Sequence, residues 1–117
     1  MHVSFLFYEE CPSHEPALER LREVLVEEGI DTNVEIVKVE SEEQAHALRF
    51  VGSPTILVNG RDIDPPPPDT RYALTCRAYR LEDSRISPLP SRDVIRQAID
   101  AAKAEPIDGP AGSSRSI

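Results

Sequence analysis

The stretch Glu9-Glu10-Cys11-Pro12-Ser13-His14 joins an apolar run to a helical pattern, and this junction decides the fold. Residues 2–8 are almost all apolar, which is typical of a strand covered on both faces in a mainly parallel sheet. Residues 17–28 carry Leu and Val at helical spacing and stop at Gly29. Cys11 therefore lies where a strand passes into a helix, and the unpaired N–H groups of a helix's first turn favour a thiolate there.

The start of this helix has two interpretations. Either Cys11 is the N-cap and Pro12 takes the first helical position, or Ser13 is the N-cap and Pro16 lies inside the first turn. Both place the thiol within reach of the helix terminus, so we expect a modestly lowered thiol pKa at Cys11.

Length and charge limit the classes of function. The chain has 117 residues and a net charge of −8, which suits one domain (1–104) and excludes the concentrated Lys and Arg that nucleic acid or an anionic membrane requires. The sequence shows neither a signal peptide nor the run of about 20 apolar residues that a membrane helix needs. We expect a cytoplasmic protein without a cofactor, as a monomer or weak dimer, with residues 105–117 as a flexible tail.

Local signals predict the elements that follow. Residues 33–39 form a second, largely buried strand. A capping box at Ser41-Glu42-Glu43-Gln44 opens a short helix that runs through Phe50 and is closed by Gly52. Residues 53–63 form a hairpin around Asn59-Gly60, which is a strong signal for a type I′ turn.

A long connection and a final helix complete the domain. Residues 64–90 are a loop insertion, and loops of this length are usually functional or mobile. Within it, residues 72–80 have the pattern of a short strand or helix. Ser91 caps the last helix, whose apolar stripe is Val94, Ile95, Ala98, Ile99 and Ala102.

The order of these elements and two motifs resemble the thioredoxin superfamily. The motifs are Cys11-Pro12-Ser13-His14 after the first strand and Ser53-Pro54-Thr55 before the third. The resemblance implies an α/β thioredoxin-like fold, βαβαββα, with a four-stranded mixed sheet, helices on both faces and a cis peptide bond before Pro54. More narrowly, the chain is similar to small bacterial thioredoxin-like proteins that often carry an alkylmercury-lyase label.

His14 stands where a dithiol thioredoxin has its second cysteine, so a disulfide within the motif is impossible. The second strand of the hairpin ends at the sheet edge where Pro54 begins, and Cys11 is expected at the same edge. The loop that carries Cys76 leaves from this edge. We therefore expect Cys11 to attack a disulfide and Cys76 to resolve it; the alternative is that Cys76 is a small buried apolar residue.

The resemblance implies a thiol–disulfide oxidoreductase or a thiol-dependent reductase acting on a small thiol or a protein disulfide. His14 would be a general acid, or else a solvated helix residue. Pro12, Ser53 and Pro54 would contact the substrate. Arg77 would receive an anionic group, or else lie in a solvated loop and pair with Glu82 and Asp83.

Two other functions stay open. One is a soft-metal site with Cys11, His14 and Cys76 as ligands, or a mercurial-binding or organomercurial-cleaving protein that uses the thiols of Cys11 and Cys76. The other is a redox-inactive interaction module.

Overall fold

The computed structural model describes residues 1–81, 83 and 85–104, so the predicted tail lies outside the described residues. The chain is mixed α/β, with three helices and a four-stranded mixed sheet among these residues, as predicted. The elements in order are β1 (Val3–Phe7), α1 (His14–Glu27), β2 (Val34–Lys38), α2 (Glu42–Leu48), β3 (Thr55–Val58), β4 (Arg61–Asp62), β5 (Tyr79–Arg80), β6 (Ile86–Ser87) and α3 (Arg92–Lys103).

The main sheet has the strand order β2-β1-β3-β4. β1 runs parallel to β2 and antiparallel to β3, with Phe5 opposite Ile36 on one side and Ile56 on the other. β3 and β4 form the predicted hairpin, and φ is 53° at Asn59 and 81° at Gly60. Both turn residues thus take the left-handed conformation that a type I′ turn requires.

β1 lies in the interior because its side chains enter two separate apolar clusters. Val3 and Phe5 pack with α1, α3 and β3, whereas Leu6 packs with Ala45 of α2 and with Phe50. Alternate residues of a strand point to opposite faces of the sheet, so β1 contributes to the core on both sides. The predicted buried strand is confirmed, since residues 3–6 are all buried.

β2 is more exposed than the sequence predicts. Its five residues are all partly or fully exposed, and Ile36 is 46% exposed. The strand lies at the edge of the sheet, and only Val34 and Val37 of this strand pack against the two clusters. The prediction of a largely buried second strand was therefore wrong.

Both early helices have ends that differ from a simple sequence pattern. α1 begins at His14 with Ser13 as its N-cap, so Cys11 precedes the cap and the alternative with Cys11 as N-cap is wrong. The Ser13 side chain makes no capping hydrogen bond. α2 has the predicted Ser41 cap, but it ends at Leu48 with Arg49 in the left-handed region, before Phe50 and Gly52.

The long loop contains a small structure of its own. β5 and β6 pair antiparallel, with Tyr79 opposite Ser87, and form a two-stranded sheet apart from the main one. The prediction of a short strand or helix within residues 72–80 is met by β5. No helix in the described part of the chain is both long enough and apolar enough to cross a bilayer.

Candidate redox site

A disulfide joins the two cysteines of the chain. Cys11 and Cys76 are 65 residues apart in sequence, and their sulfurs are bonded with a Cα–Cα distance of 5.7 Å. Disulfides ordinarily require Cα atoms within about 7 Å. The loop therefore already holds Cys76 at bonding distance, and the sequence-based pairing of Cys11 with Cys76 agrees with the structure.

Backbone hydrogen bonds hold the Cys76 segment against the residues before Pro54. The Ser53 N–H donates to the Thr75 carbonyl at 2.8 Å, and the Arg77 N–H donates to the Ser53 carbonyl at 2.9 Å. These two bonds form a short parallel bridge between Ser53 and Cys76. The Ser53–Pro54 peptide bond is cis. The segment that carries Cys76 is thus attached to the loop entering β3.

Gly52 allows this close approach. A Cβ atom at residue 52 would lie 2.8 Å from the Arg77 Cβ and 3.0 Å from the Arg77 Cα, and φ at Gly52 is +146°. Side chains rarely tolerate either condition. Glycine is therefore required here by both the backbone conformation and the contact with the Cys76 segment.

The Arg77 side chain attaches the same segment to residues at the end of the β3–β4 hairpin. Its guanidinium donates to both Asp62 carboxylate oxygens, at 2.8 and 3.0 Å, and also to the Asp64 carbonyl. The side chains of Arg77 and Asp62 are only 8% and 13% exposed. Burial would lower the pKa of Arg77, but its hydrogen bonds to Asp62 and nearby negative charge outweigh burial and raise that pKa. Arg77 therefore stays charged, and its hydrogen bonds to Asp62 attach the Cys76 segment to β4.

Tyr79 adds a third attachment. It is 1% exposed, and its hydroxyl donates to the Pro54 carbonyl at 2.5 Å. The Arg77 guanidinium carbon lies 4.5 Å from the centre of the Tyr79 ring, which is a cation–π distance. Burial raises the pKa of Tyr79 well above its ordinary value. The neutral phenol that donates to Pro54 is thus the form that the fold favours.

The two cysteines differ sharply in exposure. Cys11 is 1% exposed, whereas Cys76 is exposed. Cys76 also lines a groove of about 480 Å³, whose other walls are Val51, Asp64, Pro65, Pro66, Pro67, Thr70, Arg77, Ala78, Tyr79 and Ile86. One end of the disulfide is therefore covered by protein, and the other faces solvent through the groove.

The remaining predicted site residues lie at the start of α1. The His14 ring packs on the Phe7 ring with centroids 4.6 Å apart, and the His14 N–H donates to the Cys11 carbonyl at 3.4 Å. Pro12 is exposed beside Cys11. A general-acid role for His14 and a substrate contact at Pro12 stay predictions.

The structure contradicts one of the two interpretations of Arg77, the one that places it in a solvated loop. Its guanidinium is buried against Asp62 rather than solvated, and Asp83 pairs with Arg85 instead. Glu82 lies outside the described residues. A role for Arg77 in receiving an anionic substrate stays a prediction, but the contacts that the structure gives it are internal.

Sequence reasoning missed Asp62 and Gly52. Asp62 lies two residues after the Asn59-Gly60 turn, where a charged residue is ordinarily solvated, and nothing local marks its partner 15 residues later. Gly52 was interpreted as a helix stop, although α2 ends before it. The signal that could have identified Gly52 is its position two residues before Pro54, in the loop that is expected to face Cys11.

The soft-metal alternative finds no assembled ligand set. Among residues 1–81, 83 and 85–104, no group of three or more His, Cys, Asp or Glu side chains is placed to hold a metal ion. In the disulfide form Cys11 and Cys76 are bonded to each other, so neither is a thiolate ligand. The set of Cys11, His14 and Cys76 is thus not formed in this structure.

Comparisons with known proteins identify no relative of this chain. Family models, curated proteins and solved structures all gave no match. The geometry around the disulfide is therefore the basis on which a function can be proposed.

Proposed function

We propose that this chain is a thioredoxin-like thiol–disulfide oxidoreductase whose redox centre is the Cys11–Cys76 pair. The order of the main elements supports the fold. Without the β5–β6 hairpin, which lies in the loop insertion, it is β1, α1, β2, α2, β3, β4 and α3. The two apolar clusters support helices on both faces of the sheet, because α1 and α3 contribute to one and α2 to the other.

The observation that carries the proposal is the short Cα–Cα distance between residues on separately held segments. Cys11 follows a central, buried strand, and Cys76 is held by the bridge to Ser53. Their Cα atoms are nevertheless 5.7 Å apart. A pair held this way has a high effective concentration in the reduced form, so the disulfide can open and close without rearrangement of the fold.

The chemistry is a two-electron exchange. In the reduced form, one cysteine thiolate attacks a substrate disulfide and expels the first substrate thiolate, giving a mixed disulfide. The other cysteine thiolate then attacks the protein sulfur of that bond, releases the second substrate thiolate and forms Cys11–Cys76. Two external thiol groups reverse the process, and they are oxidised to a disulfide as the protein is reduced.

The surroundings suggest how the site would bind a substrate. Ser53 and Pro54 lie against the Cys76 segment, and Pro12 is exposed next to Cys11. We assign Pro12 to the wall that a small thiol or a protein disulfide would contact. Ser53 and Pro54 are buried in the disulfide form and would position the Cys76 segment behind that wall. His14, at the first position of α1, is the candidate proton donor to a leaving thiolate.

The test is a redox titration of the full chain. The protein is equilibrated in buffers with different ratios of reduced to oxidised glutathione, quenched with acid and alkylated, and the number of free thiols is measured by intact mass. A reversible transition between zero and two free thiols is expected, together with thiol-driven turnover of a small disulfide. Thiols that stay free in every buffer, or a disulfide that no thiol reduces in the folded protein, would contradict the proposal. The matched controls are Cys11→Ser and Cys76→Ser, which should each lose turnover.

A further inference from the structure

The two cysteines of the proposed redox pair differ in exposure, since Cys11 is buried and Cys76 is exposed, and this difference suggests different tasks for them. We propose that external thiols and disulfides react at Cys76, whereas Cys11 acts as the internal thiol that leaves and returns. This inference depends on the proposed function. It also reverses the order that the strand–helix position of Cys11 suggests from sequence.

Burial is the first argument. A thiolate attacks a disulfide sulfur and displaces the other sulfur as the leaving group. Attack at Cys11 would bring the nucleophile to a residue that is 1% exposed. Attack at Cys76 requires approach only to an exposed residue that already lines the groove of about 480 Å³.

The fate of the leaving group is the second argument. Attack at Cys76 expels the Cys11 sulfur as a thiolate, three residues before the first residue of α1. The N-cap residue Ser13 provides no side-chain acceptor to this helix end. The positive end of a helix stabilises a nearby anion, and α1 begins just after the residue whose sulfur takes the electron pair.

The anchoring of the Cys76 segment is the third argument. Its backbone is hydrogen-bonded to Ser53. The Arg77 side chain is hydrogen-bonded to Asp62, and the Tyr79 hydroxyl is hydrogen-bonded to the Pro54 carbonyl. A mixed disulfide on Cys76 therefore stays close to Cys11 while the external group lies in the groove. Cys11 is then placed to attack the Cys76 sulfur and release the external thiolate.

Each step conserves atoms and electrons. In the reducing direction, an external thiolate bonds to the Cys76 sulfur, the Cys11–Cys76 bond breaks and Cys11 takes the electron pair. A second external thiolate then attacks the external sulfur of the mixed disulfide and releases Cys76 as a thiolate. The external pair is oxidised to a disulfide, and the protein gains the two electrons.

The experiment locates the first adduct on the oxidised wild-type protein. The disulfide form is mixed briefly with 2-mercaptoethanol, an uncharged thiol probe, quenched with acid and alkylated. Peptide mass spectrometry then reads which cysteine carries mercaptoethanol and which carries the alkyl group. We expect mercaptoethanol on Cys76 and alkylation on Cys11, with a ratio of at least about tenfold over the reverse pattern.

A second measurement does not depend on trapping an intermediate. Cys11→Ser and Cys76→Ser are each treated with an aromatic disulfide reagent, and the remaining thiol should react at least about tenfold faster when it is Cys76. A mercaptoethanol adduct on Cys11, or an even division, would overturn the inference while leaving the redox function intact. No exchange in the folded wild-type protein would instead overturn both.

Discussion

Replacing Gly52 with alanine should weaken the Cys11–Cys76 disulfide, because Gly52 contacts the segment that carries Cys76. The added Cβ would lie 2.8 Å from the Arg77 Cβ, whereas ordinary contacts begin at 3.4 Å. The Arg77 backbone must therefore retreat by about 0.6 Å or more. A retreat of this size away from Cys11 would stretch the Cα–Cα distance from 5.7 Å to about 6.3 Å, out of the commonest range of about 5.5–6 Å and towards the upper limit of about 6.8 Å for disulfides.

The size of the effect follows from two costs. A side chain at φ = +146° is strained, and such strain costs about 1–3 kcal/mol. Overpacking against Arg77 costs about 1–3 kcal/mol more. In the reduced protein the loop can move and relieve the overpacking, so only the oxidised form carries the overpacking cost. The equilibrium constant for disulfide formation should then fall about 5- to 150-fold.

The matched control is Gly60→Ala. Gly60 also has positive φ, at +81°, but an added Cβ there meets nothing within 4 Å. Both variants are titrated in glutathione buffers, and both are unfolded in urea in each redox state. Gly60→Ala should lose stability equally in the two states and keep the wild-type redox equilibrium. An unchanged redox equilibrium in Gly52→Ala would refute the reasoning that Gly52 positions Cys76.

Three further perturbations address the bond, the ion pair and the buried phenol. Reducing Cys11–Cys76 opens a closed loop with a sequence separation of 65, so urea unfolding should show a loss of about 4 kcal/mol; a similar loss on adding reductant to Cys76→Ser would contradict this. Asp62→Leu leaves Arg77 buried without its carboxylate and should cost about 3–5 kcal/mol in the free energy of unfolding, whereas adding Arg77→Met to it should recover part of that loss. The folded-state pKa of Tyr79 is raised, so the unfolded chain releases this proton first as the pH rises. Titration of Tyr79 therefore leaves the free energy of unfolding constant below about pH 10 and lowers it above that pH. Tyr79→Phe should reduce this slope in urea unfolding measured as a function of pH.

The parts of the fold that the sequence predicts well are those with local causes. The apolar run of β1, the Ser41 cap of α2 and the Asn59-Gly60 turn each depend on residues within a few positions of one another. The exposure of β2 was mispredicted because alternating Val and Ile describe a strand but not its place in a sheet. An edge strand such as β2 has one neighbouring strand rather than two, and only the tertiary structure decides which strand lies at the edge.

The candidate site divides in the same way. Cys11 was identifiable because a strand–helix junction is a local feature, and Cys76 followed from the direction in which the hairpin returns its chain. The Asp62–Arg77 pair was not identifiable, since loop charges are ordinarily solvated and surface pairs contribute little. Its burial depends on the β4 end, the loop and the Tyr79 ring coming together. No residue type or spacing marks that arrangement in advance.

Under the proposed function, a cysteine pair drawn from two distant segments links electron exchange to the fold. Within a Cys-x-x-Cys motif, the distance between the sulfurs is set by one helical turn. Here it is set by the attachments of the loop to Ser53, Pro54 and Asp62. Each attachment raises the effective concentration of Cys76 at Cys11, and by linkage the disulfide strengthens each attachment in return. The stability of the loop and the reducing power of the site are therefore two measures of the same contacts.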